Sequence, residues 1–189
     1  MIFFNYPKSI YNLYKKQINK TFLNVLESGN YSKGKELLNF EKNFSKYINT
    51  KYSIGVGNAT DAIYLSLLSL GIKSGDQVIT VSHTATGTAT GIANTGAKAI
   101  FVDISIDNFN MNIDLIIKKI NKKTKAIVIV HLYGQSCDLD KLLSIAKKYK
   151  LFVIEDCSQA AGATYKNKKL GSFGSFGCFS FFPTKNLSA

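Results

Sequence analysis

Apolar residues recur every three to four positions in two early stretches. Leu13, Ile18, Phe22 and Leu26 lie in residues 9–27, and Leu37, Phe40, Phe44 and Ile48 in residues 35–48. That period predicts two helices. The polar, glycine-containing segment 28–34 between them predicts a loop. After residue 50 the pattern changes. Short apolar runs at 52–56, 77–81, 98–102, 125–130 and 151–154 predict buried strands, and helical stretches at 60–70, 85–95, 112–120 and 138–149 separate them. Residues 176–181 predict one more strand. Strands alternating with helices of about ten residues predict βαβ units, hence an α/β fold with a mainly parallel sheet of about six strands, covered on both faces.

In open sheets of this kind ligands bind beyond the carboxyl ends of the strands. Polar residues cluster at those ends: Asn58-Ala59-Thr60, Ser82-His83, Asp103, His131 and Asp156. Several independent polar groups on one rim point to a site more strongly than any single motif does.

Composition narrows the picture. A chain of 189 residues with 46% hydrophobic and 19% charged residues can bury one substantial core. Lys, Asn, Ser and Gly interrupt every apolar run, so no membrane span is expected. The first residues show no basic segment followed by an apolar core, and a cytoplasmic protein is the default. The formal charge is +12, yet the lysines are dispersed and arginine is absent, so the bidentate readers of phosphate and base are missing and nucleic acid is not an expected partner. Cys137, Cys157 and Cys178 are about twenty residues apart and odd in number, which predicts buried free thiols. Two distant histidines and scattered cysteines show no metal-ligand spacing, and no metal is expected.

The chemistry-bearing residues lie in three places. Gly55-Val56-Gly57-Asn58-Ala59-Thr60 leads into a helix, whose first amides and dipole suit an anion. Read alone, this step is equally a helix start capped by Asn58 or Thr60. Asp156 follows the apolar run 151–154, and Lys185 follows Phe179-Ser180-Phe181-Phe182-Pro183-Thr184, 29 residues later. Pyridoxal phosphate needs such a pair: a lysine for the Schiff base and a carboxylate to keep the pyridine nitrogen protonated. Without that context Asp156 is a turn cap and Lys185 one of 24 surface lysines. With it, three nearby phenylalanines suggest a desolvated and therefore nucleophilic amine. Glu155 projects to the opposite face from Asp156 and is read as structural.

Glu155-Asp156-Cys157-Ser158-Gln159 and Ser180-Phe181-Phe182-Pro183-Thr184-Lys185-Asn186 resemble motifs of the DegT/DnrJ/EryC1/StrS sugar aminotransferases. So do Gly75-Asp76-Gln77-Val78-Ile79, Lys123-Thr124-Lys125-Ala126-Ile127 and His131-Leu132-Tyr133-Gly134-Gln135. The resemblance covers nearly the whole chain. It implies the large domain of fold type I enzymes in a three-layer αβα arrangement at 51–189, preceded by a helical segment at 1–50. It also implies pyridoxal 5′-phosphate as cofactor, with Lys185 as the catalytic Schiff-base residue. Asp156 would face the ring nitrogen, Gln159 the phenolic oxygen, and Ala59, Thr60 and Ser180 the phosphate.

His83 stands near a position where relatives stack an aromatic ring on the cofactor. This chain has Ala85 there, so either His83 supplies the face contact or the ring is less tightly sandwiched. His131 is read as a hydrogen-bonded structural histidine. The implied reaction is glutamate-dependent amination of a nucleotide-linked keto sugar, for surface polysaccharide or a deoxyamino-sugar product, by a homodimer. Relatives are about twice as long, so the small C-terminal domain is expected to lie outside these residues, and the 189 residues alone are expected to turn over poorly. The alternative is a non-catalytic relative that at most binds cofactor or a partner.

Overall fold

The computed structural model describes residues 6–187. They fall into two units, residues 6–55 with 181–187, and Val56–Ser180. In the first, α1 (Pro7–Ser28) starts on a proline, buries none of its residues, and ends at Gly29 in the left-handed conformation. Its partner α2 (Lys35–Ile48) buries Phe44 and Ile48. Phe40 stacks on Phe44 at 5.4 Å, and Phe181 meets both edge-on at 5.1 and 5.3 Å. None of the described helices is long and apolar enough to cross a membrane.

The second unit is a parallel sheet in the order β2-β1-β3-β4-β7. Its strands are β1 (Gln77–Val81), β2 (Lys98–Val102), β3 (Thr124–Val130), β4 (Phe152–Asp156) and β7 (Phe176–Cys178). All four ladders are parallel. Between β4 and β7, β5 (Thr164–Tyr165) and β6 (Lys168–Lys169) form a small antiparallel hairpin. Its two turn residues, Lys166 and Asn167, both have positive φ, the twist that a two-residue hairpin requires.

Side chains alternate across the sheet into two cores. Val78, Ala126, Val128, Ile154 and Cys178 pack with Ile63 and Leu67 of α3 (Ala59–Ser69) and Ile92 of α4 (Thr86–Ala93). Ile79, Val81, Ile127, Ile129 and Val153 pack on the other face with Leu139, Leu142, Ile145 and Ala146 of α5 (Leu139–Tyr149). With both faces covered, β1 and β3 read as nearly continuous apolar runs. The result is the three-layer αβα architecture.

Two expected elements differ. Residues 52–56 form no strand: Tyr52 and Ile54 are 71% and 78% exposed, and the Gly55 amide donates to Glu41 Oε1 at 2.7 Å. An extended segment with no neighbouring ladder among the described residues has nothing to pair with. Residues 112–120 form two 3-10 turns, Ile113–Leu115 and Ile117–Lys119. The buried residues of this stretch, Ile113 in the first turn and Ile116 between the two, are three apart, the repeat of a 3-10 turn.

β7 lies close to the chain that precedes it. A Cβ at Gly177 would fall 2.4 Å from the Gly171 carbonyl oxygen, and one at Gly174 would fall 2.5 Å from that of Val153. Gly177→Ala is therefore expected to cost about 1–3 kcal/mol through overpacking. A lowered urea midpoint at unchanged slope would register it.

Candidate functional site

The first residue in the site's framework is Glu155, buried at 0% exposure on the α5 face of the sheet. Oε2 accepts from His131 Nε2 at 3.0 Å and from the Gly171 amide at 2.8 Å. Oε1 accepts from the amides of Phe173 and Gly174 at 2.7 and 2.8 Å. Burial pushes this carboxyl up, but the His131 hydrogen bond and the Gly174 and Gly171 amides outweigh it, so it sits below its ordinary value. His131 is the structural histidine expected from its sequence context. Because a carboxylate only accepts, Nε2 carries the proton.

Cys157 joins His131 and Glu155 in a group whose ligand atoms lie within 4.8 Å, a convergence that sequence spacing does not reveal. It is a poor metal site, because four donors already occupy both Glu155 oxygens. Burial first, then the Glu155 and Asp156 charges, also push the Cys157 thiol well up. All three cysteines are free and buried, and burial pushes Cys137 and Cys178 up to about 12.

Asp156, the next residue, projects to the α3/α4 face and is 4% exposed. Oδ2 accepts from Thr88 Oγ1 at 2.7 Å, while Oδ1 accepts from the Ser158 hydroxyl at 2.6 Å and amide at 3.1 Å. These three donors are all neutral. Thr84 Oγ1 lies 2.8 Å from Thr88 Oγ1. Since Thr88 gives its only hydroxyl proton to Asp156, Thr84 is the donor in that pair.

Glycines bring α4 against the start of α3. A Cβ at Gly87 would sit 2.6 Å from Thr60 Oγ1, and one at Gly91 would sit 2.9 Å from the Thr60 carbonyl oxygen. Asn58 caps α3 by accepting from the Asp61 amide at 2.9 Å. Ala59 and Thr60, in the first turn, have amides with no intrahelical acceptor.

Gln159 is half-buried, and its Oε1 accepts from the Tyr133 amide at 3.1 Å. That leaves Nε2 as the donor end of the amide. Tyr133 Oη lies 3.4 Å from Nε2 of the exposed His83. Thr60, His83, Asp156 and Gln159 are thus linked through Gly87, Thr88, Ser158 and Tyr133 on one rim. Ser180 is half-buried at the end of this unit.

Lys185 belongs to the other unit, half-buried in a turn where its amide donates to the Phe182 carbonyl at 2.8 Å. The phenylalanines before it have different surroundings. Phe182 is 64% exposed, Phe181 packs on Phe40 and Phe44, and Phe179 lies against Gly171. Thr88, Ser158 and Tyr133 are site residues that the sequence analysis did not assign.

This architecture, with its carboxylate at the end of a central strand and its amide-rich helix start, is the large domain of fold type I aminotransferases. The sequence signature of the DegT/DnrJ/EryC1/StrS aminotransferase family matches residues 12–189, and the chain belongs to that family. It is 45% identical over 168 residues to a dTDP-3-amino-3,6-dideoxy-alpha-D-galactopyranose transaminase of Aneurinibacillus thermoaerophilus, covering 89% of this chain and 46% of that protein. The fold matches S. venezuelae DesV with TM-score 0.96 and 36% identity, over 99% of this chain and 50% of that one. It also matches the PLP form of a sugar aminotransferase described for Streptococcus pneumoniae, with TM-score 0.85 and 32% identity, over 88% and 46% of the two chains. The chain spans about half the length of the relatives it matches.

Glu155→Leu removes the acceptor for three amides and His131 and is expected to cost about 3–5 kcal/mol. A depressed carboxyl contributes stability that is present above the ordinary glutamate value of about 4.5 and is lost as pH falls through the lower native one. Urea midpoints measured across that acid range should therefore fall less steeply in the variant than in the parent.

Proposed function

We propose that the chain forms the cofactor-binding part of a cytoplasmic, homodimeric aminotransferase that moves an amino group from glutamate to a nucleotide-linked keto sugar. The observation that carries this reading is Asp156: a buried carboxylate whose three donors are neutral fits a cationic ring nitrogen. Bound there, pyridoxal phosphate supplies a carbonyl that takes and returns the amino group and a protonated ring that acts as an electron sink. Thr88 and Ser158 hold the Asp156 carboxylate in one orientation, and Gln159 Nε2 donates to the phenolic oxygen.

The amides of Ala59 and Thr60 take the phosphate at the positive end of α3, joined by the Ser180 hydroxyl. Ala59 serves because the donor is its backbone. Gly87 leaves the Thr60 hydroxyl the room it needs. His83 provides a ring-face contact. Lys185 is assigned to the aldehyde on its sequence context, Ser-Phe-Phe-Pro-Thr-Lys-Asn. Its Nζ would serve as the group that carries the proton to and from the substrate carbon. The nucleotide-sugar class is carried over from what the relatives' names state of those proteins, and glutamate as donor from the family resemblance.

The test is borohydride reduction with pyridoxal phosphate, followed by peptide mapping. The expected product is one adduct at Lys185; an adduct on another lysine overturns the assignment. Asp156→Asn, close in size but uncharged, should still form the adduct. It should slow the glutamate-dependent change in cofactor absorbance by about 10²–10³-fold.

A further inference from the structure

Two exposed aromatic residues flank His83, and both are in a backbone conformation that bulky side chains avoid. Tyr133 follows β3 with φ 57, and Phe109 lies in the loop after β2 with φ 58. They are 62% and 47% exposed. Their rings lie 6.2 and 6.3 Å from the His83 imidazole, and the phenol reaches its Nε2 at 3.4 Å.

Left-handed backbone at a bulky residue is strained, and glycine or asparagine would form the same turn without strain. Core burial cannot be the compensation, because both side chains are exposed. The strain is held by specific bonds. The Leu132 amide donates to Oδ1 of the buried Asn110 at 3.2 Å, the Tyr133 amide donates to Gln159 Oε1, and the Phe109 amide donates to the Ser105 carbonyl at 2.8 Å. Asn110 thus ties the loop carrying Phe109 to the loop carrying Tyr133. A loop braced from two sides to hold strained, exposed rings retains them for what they touch.

We propose that Tyr133 and Phe109, braced by His83, contact the hexose of the sugar nucleotide and set which sugar is accepted. This rests on the reading above, in which Gln159 donates to the phenolic oxygen of the cofactor. That oxygen sits on the ring carbon next to the one bearing the aldehyde. Tyr133 is hydrogen-bonded to Gln159, so it borders the edge where the substrate carbon reacts. In a nucleotide sugar the hexose is there, and the base is a diphosphate away. Aromatic faces suit the C–H face of a pyranose, and the phenol and imidazole can exchange hydrogen bonds with its hydroxyls.

The test uses Tyr133→Gly and Tyr133→Phe in the cofactor-loaded protein, with a dTDP-linked 3-amino-3,6-dideoxyhexose as probe. Tyr133→Gly relieves the strain, so its Tm is expected to equal or exceed the parent's. Assayed in the reverse direction with 2-oxoglutarate as amino acceptor, its KM for the probe should rise about tenfold more than its KM for 2-oxoglutarate. Tyr133→Phe keeps the ring and should show a smaller part of that rise. Saturation transferred from protein to probe, read by NMR, should be strongest at the hexose protons and weaken there in Tyr133→Gly.

An unchanged sugar KM in Tyr133→Gly, or saturation centred on the base, overturns the inference while leaving the aminotransferase reading intact. Failure of the unmutated protein to form the Lys185 adduct removes that reading, and this one with it.

Discussion

Glu155 accepts four hydrogen bonds in the interior of the sheet, and the other parts of the site are placed relative to them. A carboxylate stripped of water is costly unless its lone pairs are filled, and here they are filled from two directions. His131 comes from the end of β3, and the amides of Gly171, Phe173 and Gly174 come from the segment entering β7. The bond set therefore fixes where the chain rejoins the sheet. The glycines complete the arrangement, since side chains at 174 or 177 would collide with the backbone they lie against.

Neighbouring residues on one strand divide two tasks. Glu155 faces α5 and holds the framework. Asp156 faces α3 and α4, where its partners are hydroxyls and an amide. Strand alternation makes this division automatic, because two consecutive carboxylates cannot share a face. The small residues of α4 extend the logic. Gly87 and Gly91 let the two helices approach until Thr60 and Thr88 stand on the same side of the sheet as Asp156.

Most of the architecture was legible because a parallel sheet covered on both faces writes itself as alternating apolar runs and amphipathic helices. The reading failed where pairing or a longer-range partner decides. Residues 52–56 are apolar enough for a strand, but no described neighbour offers a ladder. The run 112–120 has helical composition yet buries Ile113 and Ile116 at the tighter 3-10 spacing. Asp156 and the start of α3 were singled out because one ends a strand and the other begins a helix, and Gln159 was singled out by the family resemblance. Thr88, Asn110 and Tyr133 act through partners 68, 22 and 50 residues away in sequence, and no local pattern carries that information.

The Thr84-Thr88-Asp156 chain has a direction. Each hydroxyl has one proton to give, so an ionised Asp156 orients Thr88, and Thr88 orients Thr84. Were the carboxylate to take up a proton on the oxygen facing Thr88, both hydroxyls would have to turn. The charge state of one buried atom is thereby copied into the rotor positions of two side chains, Thr88 on α4 and Thr84 just before that helix begins. At the entry to α4, the pair is a built-in indicator of what stands opposite Asp156.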